Sequence, residues 1–229
     1  FQSVNVEGAT ATAKIEDTID KTTVILTPNA TSYREGEEIS FDVQLSNKPD
    51  PNYNGETIVT VELGDQTQEV KVDAEGHGTA TFANPREADV FAEGTTTVTA
   101  KVTGISGGNY EYTEKDQTAT VDIIDSDKAA TVTITTKNEE EADNGEVTFD
   151  VQLSEAPRGK AVVHVKVGDQ EHDVAVDSNG HGTLTIAHGN GEDVYLDESN
   201  VTATVTGVTG GGFQSVNVEG ATATAKIED

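Results

Sequence analysis

Apolar and polar residues alternate along most of the chain, in short runs separated by turn-forming residues. In the run EISFDVQLS, at residues 38–46, the alternation places Ile39, Phe41, Val43 and Leu45 on one face. A period of two residues is the pattern of a β-strand with one buried face. The sequence has no apolar stripe at helical spacing that is long enough to build a helix bundle, so the pattern predicts an all-β protein.

The first half of the chain divides into seven such runs, each bounded by Gly, Pro, Asn or Asp. The predicted strands A to G cover residues 22–28, 38–46, 56–63, 68–72, 78–82, 96–104 and 109–124, and the last is long and interrupted. Seven short strands at this spacing are typical of an Ig-like Greek-key β-sandwich. Because the chain has no Cys and no Trp, the term Ig-like refers here to the number, length and spacing of the strands alone.

The whole pattern occurs twice. Matching segments are FDVQLS at residues 41–46 and 149–154, GDQ at 64–66 and 168–170, and VD-x-x-GHGT at 72–79 and 176–183. The copies lie 104 to 108 residues apart. This period is too long for a solenoid coil or a propeller blade and fits one small β domain per repeat. We therefore predict two tandem seven-stranded domains, at residues 21–125 and 126–229.

The chain also begins and ends with the same segment. FQSVNVEGATATAKIED stands at residues 1–17 and again at 213–229, and a diverged copy, NYEYTEKDQTATVDIID, stands at 109–125. Because 109–125 is the place of the last strand in the first domain, we predict that residues 1–20 are the last strand and linker of a preceding repeat. This segment is interpreted either as a remnant of the boundary at which a longer protein was cut, or as a free strand that replaces its identical copy in a neighbouring molecule, giving strand-swapped self-association.

Composition adds a strongly acidic surface. The chain has 42 Asp and Glu residues against 14 Lys and Arg, for a formal net charge of −28. Such a chain repels nucleic acid and anionic membranes, so the expected partners are cations. No apolar run approaches the roughly 20 residues needed to span a bilayer. Phe1 stands where an initiator Met would be, and the composition suits an exposed, secreted protein, so we expect an excerpt of a longer surface protein.

The predicted topology gathers many of these carboxylates at one pole of each sandwich. The end of strand G, the following linker and the A–B, C–D and E–F turns are expected to meet there, with Asp177 and Asn179 approaching from the second domain. The candidate metal ligands are Asp17, Asp20, Asp65, Glu87, Asp89, Asp122, Asp125, Asp127, Asp169, Asp193 and Asp229. Oxygen ligands alone suit Ca²⁺ better than Zn²⁺ or Mg²⁺. The alternative is that Asp and Asn serve turn conformation and solubility.

Catalysis is not indicated. His77 and His181 stand in matching GHG segments, which a tight turn capped by a polar side chain explains better than a metal site. No Ser or Cys nucleophile has a matched base in both domains, and a narrow sandwich rarely forms the cleft that paired catalytic carboxylates need. Tyr53, in the long loop PDPNYNG, is the single hint of a loop that binds a carbohydrate or protein ligand.

Three segments carry a resemblance to a known family. They are GATATAKIEDTIDKTTVILTPNAT at residues 8–31, EGEEISFDVQLS at 35–46 and TGGGFQSVNVEGATATAKIED at 209–229. They resemble the repeats of giant RTX-type biofilm adhesins of Gram-negative bacteria, and the likeness extends over essentially the whole chain.

The resemblance implies a non-enzymatic extender region of a cell-surface adhesin. Such a parent protein would be exported by type I secretion and anchored at the outer membrane, and calcium would rigidify the linkers between its repeats. By analogy Asp17, Asp20, Asp125 and Asp127 would be ligands. The alternatives are a ligand-binding Ig-like module and an accessory domain of a polysaccharide-active enzyme.

Overall fold

The computed structural model describes residues 8, 10–16, 18–140, 145–189 and 199–228. Within these residues the regular secondary structure consists of β-strands, as the alternating pattern predicts. The same part of the chain contains no helix that is long and apolar enough to cross a membrane.

The strands of the first repeat follow the predicted runs closely. They are β1 (Lys21–Thr22), β2 (Val24–Pro28), β3 (Ser32–Arg34), β4 (Ile39–Leu45), β5 (Ile58–Leu63), β6 (Gln66–Lys71), β7 (His77–Phe82), β8 (Thr96–Ser106), β9 (Tyr112–Thr113) and β10 (Thr118–Ile124). Predicted strands B to F agree with β4 to β8 to within two residues at each end. Predicted strand G is interrupted, as expected, and forms β9 and β10.

The second repeat has the same order of elements. Its strands are β11 (Ala130–Thr136), β12 (Glu139–Glu140), β13 (Glu146–Leu153), β14 (Ala161–Val167), β15 (Gln170–Ala175), β16 (His181–Ala187), β17 (Ser199–Gly210), β18 (Val216–Asn217) and β19 (Thr222–Glu228).

Each repeat has the two sheets of a β-sandwich. In the first, β2, β4 and β7 form one main sheet, and β3, β10, β8, β5 and β6 form the other in that order, while β1 and β9 form a separate parallel pair. In the second, the sheets have the orders β16-β13-β11-β18 and β12-β19-β17-β14-β15. The fold class, an all-β protein with Ig-like sandwich sheets, is therefore confirmed.

One strand of the first repeat was not predicted. β3 pairs in parallel with β10, so that Tyr33 lies opposite Ile123. The chain segment that begins the repeat is thus divided between the two sheets, because β2 pairs with β4 in the other one. Sequence alternation misses β3 because the strand has three residues and its partner is about ninety positions away.

The alternating residues of the B strands form the centre of the core. Ile39, Phe41, Val43 and Leu45 are all buried, and Phe41 packs edge to face on Phe82 with ring centroids 6.2 Å apart. In the second repeat the corresponding residues Val147, Phe149, Val151 and Leu153 are buried in the same way. Complete burial of one such side chain contributes about 1.5–3 kcal/mol, so the strand pattern supplies much of the stability of each sandwich.

Contacts between Cα atoms divide the chain into two compact units. The first unit comprises the chain up to Thr31, Ile39–Phe82 and Val98–Val121, and the second comprises Ser32–Glu38, Ala83–Thr97 and the chain from Asp122 onward. The second unit therefore holds the second repeat together with the A–B turn, the E–F loop and the end of the last strand of the first repeat. The domain limits expected from the sequence, 21–125 and 126–229, remain a prediction.

Candidate functional site: the junction after the first repeat

The junction lies entirely within the second compact unit. We use this name for the A–B turn and E–F loop of the first repeat, the linker Asp125 to Lys128, and the B–C and F–G loops of the second repeat. Asn84 fixes the E–F loop, because its amide nitrogen donates to the carbonyl oxygens of Arg34 and Glu37 while its amide oxygen accepts from the backbone of Arg86. The backbone N–H of Gly36 also donates to the carbonyl of Arg86 at 2.9 Å.

Arg86 lies at the centre of the junction. Its guanidinium forms ion pairs with Glu35, with Glu93 at 3.1 Å and with Asp125 at 3.1 Å. The side chain of Glu35 is completely buried and that of Arg86 is 14% exposed. A buried carboxyl group is tolerated only when it is paired, so Arg86 is the partner that allows Glu35 to be buried.

The linker is held by side chains on both sides. Arg34 pairs with Asp127 at 2.7 Å. The hydroxyl of Ser126 donates to the carbonyl oxygen of Asp89 at 2.6 Å, and the ammonium of Lys128 donates to the carbonyl of Ala88 at 2.7 Å. Ser126 and Lys128 are therefore tied to the E–F loop, and Asp127 is tied to Arg34 at the end of β3.

Arg158, from the B–C loop of the second repeat, reaches the same loop. It pairs with Asp89 at 2.9 Å and with Glu93 at 2.6 Å. Its guanidinium also lies 3.8 Å from the centre of the Phe91 ring, and Phe91 stacks on Phe213 with ring centroids 5.2 Å apart. A guanidinium over an aromatic face gains cation–π attraction in addition to its ion pairs.

Backbone and amide hydrogen bonds complete the junction. Phe91 and Phe213 form an antiparallel bridge, flanked by hydrogen bonds from Ala92 N to Gly212 O and from Gln214 N to Val90 O. The side-chain amide of Gln214 donates to the carbonyls of Asp89 and Lys128 and to the hydroxyl of Ser126. The F–G loop of the second repeat thus continues the hydrogen bonding of the E–F loop.

The charges of the junction stabilise one another. Burial by itself would lower the pKa of Arg86, but the hydrogen bond to Asp125 and the charges of Glu35 and Glu93 outweigh it and raise that pKa above the ordinary value. The hydrogen bonds from Arg158 and then Arg86 lower the pKa of Glu93, and the bond to Glu93 raises the pKa of Arg158. All three groups are therefore ionised at neutral pH.

The predicted metal ligands separate into groups. The structure brings Asp89, Asp125 and Asp127 to the junction, each paired with an arginine. Asp122 accepts a hydrogen bond from Thr97 on the neighbouring strand. Four of the predicted ligands are exposed and lie outside these ion pairs: Asp20, Asp65, Glu87 and Asp169. Asp17, Asp193 and Asp229 lie outside the described residues.

The carboxylates of the junction do not fit a calcium ion. Calcium requires six to eight oxygen ligands, whereas guanidinium groups already occupy Asp89, Glu93 and Asp125. Within the described part of the chain no three Asp, Glu, His or Cys side chains are placed so as to hold a metal ion. The sequence predicts that Asp177 and Asn179 approach this junction, but none of the described contacts at the junction comes from these two residues. The second repeat contacts the junction through Arg158 of its B–C loop and Gln214 of its F–G loop instead.

The basic half of the site was not predicted from the sequence. Arg34, Arg86 and Arg158 are the three arginines of the chain, and all of them lie at the junction. A search for acidic clusters does not find them, because Arg158 is 69 residues from Asp89. The available signal was the rarity of arginine in a chain with a charge of −28.

A second acidic group lies in the first unit, where the chain enters the first repeat. Asp20, Asp50 and Glu111 line one cleft, and the Glu111 carboxylate accepts a hydrogen bond from the backbone of Asp20 at 2.7 Å. Hydrogen bonds from the backbone of Asn52 and the side chain of Asn109 lower the pKa of Asp50. We call this group the entry cleft.

Two lysines also border the entry cleft. Lys48 forms an ion pair with Glu75, and Lys21 lies 5.8 Å from the centre of the Tyr112 ring. Among the described ion pairs, no arginine binds any of the three carboxylates of the entry cleft. The junction differs in this respect, because its carboxylates are paired with arginines.

The GHG segments have the structural role expected of them. The carboxylate of Asp73 accepts hydrogen bonds from the backbone of Glu75 and His77, and Asp177 accepts the same bonds from Asn179 and His181. The prediction of a turn capped by a polar side chain is confirmed, and the cap is the Asp of VD-x-x-GHGT.

Tyr53 is partly exposed and packs within its own loop. A Cβ atom placed on Gly55 would lie 2.5 Å from the Tyr53 hydroxyl, and one on Gly107 would lie 3.1 Å from the ring. The ring therefore covers two glycines, which gives Tyr53 a structural role in the long B–C loop.

These features define a class of protein: tandem all-β repeats joined through short, ordered linkers. The LapA domain model matches residues 20–126 and 128–229, so the chain belongs to the LapA domain family, a family of large-adhesin domains. The two matches correspond to the two repeats. No curated protein sequence matches the chain.

Several solved structures are similar to the chain at low identity. One is a 1.5-MDa bacterial ice-binding adhesin, with 16% identity, a TM-score of 0.33, and coverage of 93% of this chain and 65% of that one. Another is the adhesin InvE of Yersinia pseudotuberculosis, with 16% identity, a TM-score of 0.30, and coverage of 90% and 58%. A third is the calcium binding domain CBD12 of CALX1.1, with 14% identity, a TM-score of 0.32, and coverage of 80% and 79%.

Proposed function

We propose that this chain is an extender segment of a bacterial cell-surface adhesin, with no catalytic activity of its own. Its repeats would hold a distal binding domain away from the cell, in a parent protein that is exported by type I secretion and anchored at the outer membrane. The observation that carries this proposal is the ordered junction, in which ion pairs, a ring stack and backbone hydrogen bonds hold a linker of four residues. A spacer requires linkers that resist bending, and a catalyst does not.

We place the expected calcium at the entry cleft. Asp20, Asp50 and Glu111 line this cleft but do not by themselves form a metal site. The proposal therefore requires further oxygen ligands, of the kind that calcium prefers, from a preceding repeat and from Asp17, which stands three residues before Asp20 in the sequence. Residues 1–17 repeat the last strand of the second repeat, so a preceding repeat of that kind would have an E–F loop like residues 187–199, which is acidic and contains no arginine. Two acidic poles repel each other unless a cation lies between them. Calcium would supply at the entry cleft the positive charge that the arginines supply at the junction.

Small-angle scattering during a calcium titration tests both parts. In excess chelator the chain is expected to keep one fixed maximum dimension, the same as in calcium. Calorimetry in parallel should record calcium binding with a gain in thermal stability, as mass action requires for a ligand of the folded state. A folded-back or variable dimension in every buffer would contradict the extender function.

The calcium part has its own control. The double variant Asp50→Asn, Glu111→Gln removes two charges from the entry cleft, and Asp65→Asn removes one from an exposed turn. Calcium binding should be lost in the first variant and kept in the second. Equal heats of binding in both would remove calcium from the entry cleft and leave the extender proposal intact.

A further inference from the structure

The junction gathers the three arginines of a very acidic chain. The carboxylates of Glu35, Asp89, Glu93, Asp125 and Asp127 are opposed by the side chains of Arg34, Arg86, Arg158 and Lys128. A side chain that binds two carboxylates and also stacks on a ring, as Arg158 does, must be arginine, because its planar guanidinium presents several donors at once. The protein itself therefore supplies the positive charge that a metal ion would otherwise provide.

Arg158 makes the contact from the second repeat. Its two nitrogens bind two carboxylates of the E–F loop, Asp89 and Glu93, and its face covers Phe91. Arg86 binds Glu93 from the other side. Glu93 thus lies between two guanidinium groups, and the pair of arginines encloses the acidic loop.

We infer that this junction is closed by an arginine clasp, formed by Arg86 and Arg158, and that its closure does not depend on calcium. Arg158 then determines which loop can pack against the N-terminal pole of the second repeat. That loop must present two carboxylates beside an aromatic ring. The inference rests on the proposed extender function only for its biological use, because the contacts of the clasp are independent of that role.

The first repeat carries the opposite charge at the equivalent position. Arg158 donates its backbone N–H to Gly211 O at 2.8 Å, and Asp50 donates its own to Gly108 O at 3.1 Å. These pairs occupy the same place in the B–C and F–G loops of the two repeats. An Asp at this position would repel a loop such as Asp89 to Glu93, so the two repeats are not interchangeable and their order along the chain is specified by charge.

Distance measurements between two spin labels test the clasp. The chain has no Cys, so Thr96→Cys and Gln170→Cys place one label on an exposed strand position of each repeat, both within the second compact unit. Double electron–electron resonance is recorded in excess chelator and in millimolar calcium. We expect the same narrow distance distribution in both buffers.

The possible results separate the two proposals. A distribution that is broad in chelator and narrow in calcium would overturn the clasp and leave the extender function standing. A distribution that is broad in both buffers would overturn the clasp and the extender function together.

Charge reversal tests whether Arg158 determines the closure of the junction. Arg158→Asp, which copies the residue of the first repeat, should broaden the distribution in both buffers, and adding Asp89→Arg should narrow it again. Lys101→Ala is the matched control, since it removes an exposed ion pair with Asp116 in the first unit and should change nothing. Circular dichroism checks that each variant is folded; a folded Arg158→Asp variant with an unchanged distribution would overturn the role of Arg158.

Discussion

At the scale of single residues, glycine positions show where the backbone allows no side chain. Gly107 precedes the entry cleft, has a φ of +80°, and a Cβ atom there would lie 2.2 Å from the carbonyl oxygen of Glu56. Gly210 occupies the same place in the second repeat and would meet Lys160 O at the same distance. The F–G loop of each repeat therefore depends on a glycine that lies against the backbone of the B–C loop.

Gly107→Ala is expected to lower the free energy of unfolding by more than the roughly 1–3 kcal/mol that a strained backbone position usually costs, because the added Cβ also clashes with the carbonyl oxygen of Glu56. Gly64→Ala is the control, since Gly64 also has a positive φ but has open space around its Cα. Urea denaturation of the two variants separates the clash from the φ strain. Equal losses in both would show that Glu56 moves aside at no cost.

At the scale of elements, one sequence occupies two environments. TATAKIE at residues 222–228 forms β19, in which Ile227 is completely buried, whereas the same letters at 10–16 form no strand and Ile15 is 93% exposed. β19 is ordered by its pairing with β17. A strand of this composition is therefore stable only where a neighbouring strand is available.

The exposed copy is expected to compete for that neighbour. At high protein concentration residues 10–16 should displace β19 of another molecule, because the two strands make the same contacts. Ile15→Lys should abolish the resulting dimers in light scattering after size-exclusion chromatography. Ile19→Lys, at an exposed isoleucine outside the duplicated segment, should leave them unchanged; a monomer at every concentration would contradict strand exchange.

At the scale of the whole molecule, charge decides how repeats join. A net charge of −28 opposes the close approach of two poles, and the junction overcomes this with the three arginines of the chain. Acid should therefore open the clasp. The pKa of Glu93 is lowered in the folded state by Arg158 and Arg86, so its stabilising effect is present above the ordinary value of 4.5 and is lost as the pH falls through the lowered pKa.

The spin-label distance distribution should consequently broaden as the pH falls below about 4.5 and through the lowered pKa of Glu93, while circular dichroism shows the sandwiches still folded. In an Arg158→Ala variant the distribution should already be broad at neutral pH and show no further change on acidification. A wild-type distribution that stays narrow after the carboxylates are protonated would mean that the ring stack and the backbone bonds hold the junction without the ion pairs.

Local patterns were enough to predict the fold because they depend on residues that are close in sequence. Alternation identified the buried positions of β4, and turn residues identified the limits of five strands. β3 was missed because its partner, β10, lies in a distant part of the chain. The same limitation applied to the site, since the acidic linker was visible in the sequence and Arg86 and Arg158 were not recognised as its partners.

The sequence by itself thus determined the all-β class, the duplication and the inward face of each main strand, because these follow from side-chain period and composition. Only the tertiary structure decided that Asp89, Glu93 and Asp125 meet guanidinium groups, and that one copy of TATAKIE is buried while the other is exposed. Ion pairing and burial depend on which distant segments the fold brings within a few ångströms, and a linear pattern does not contain that distance.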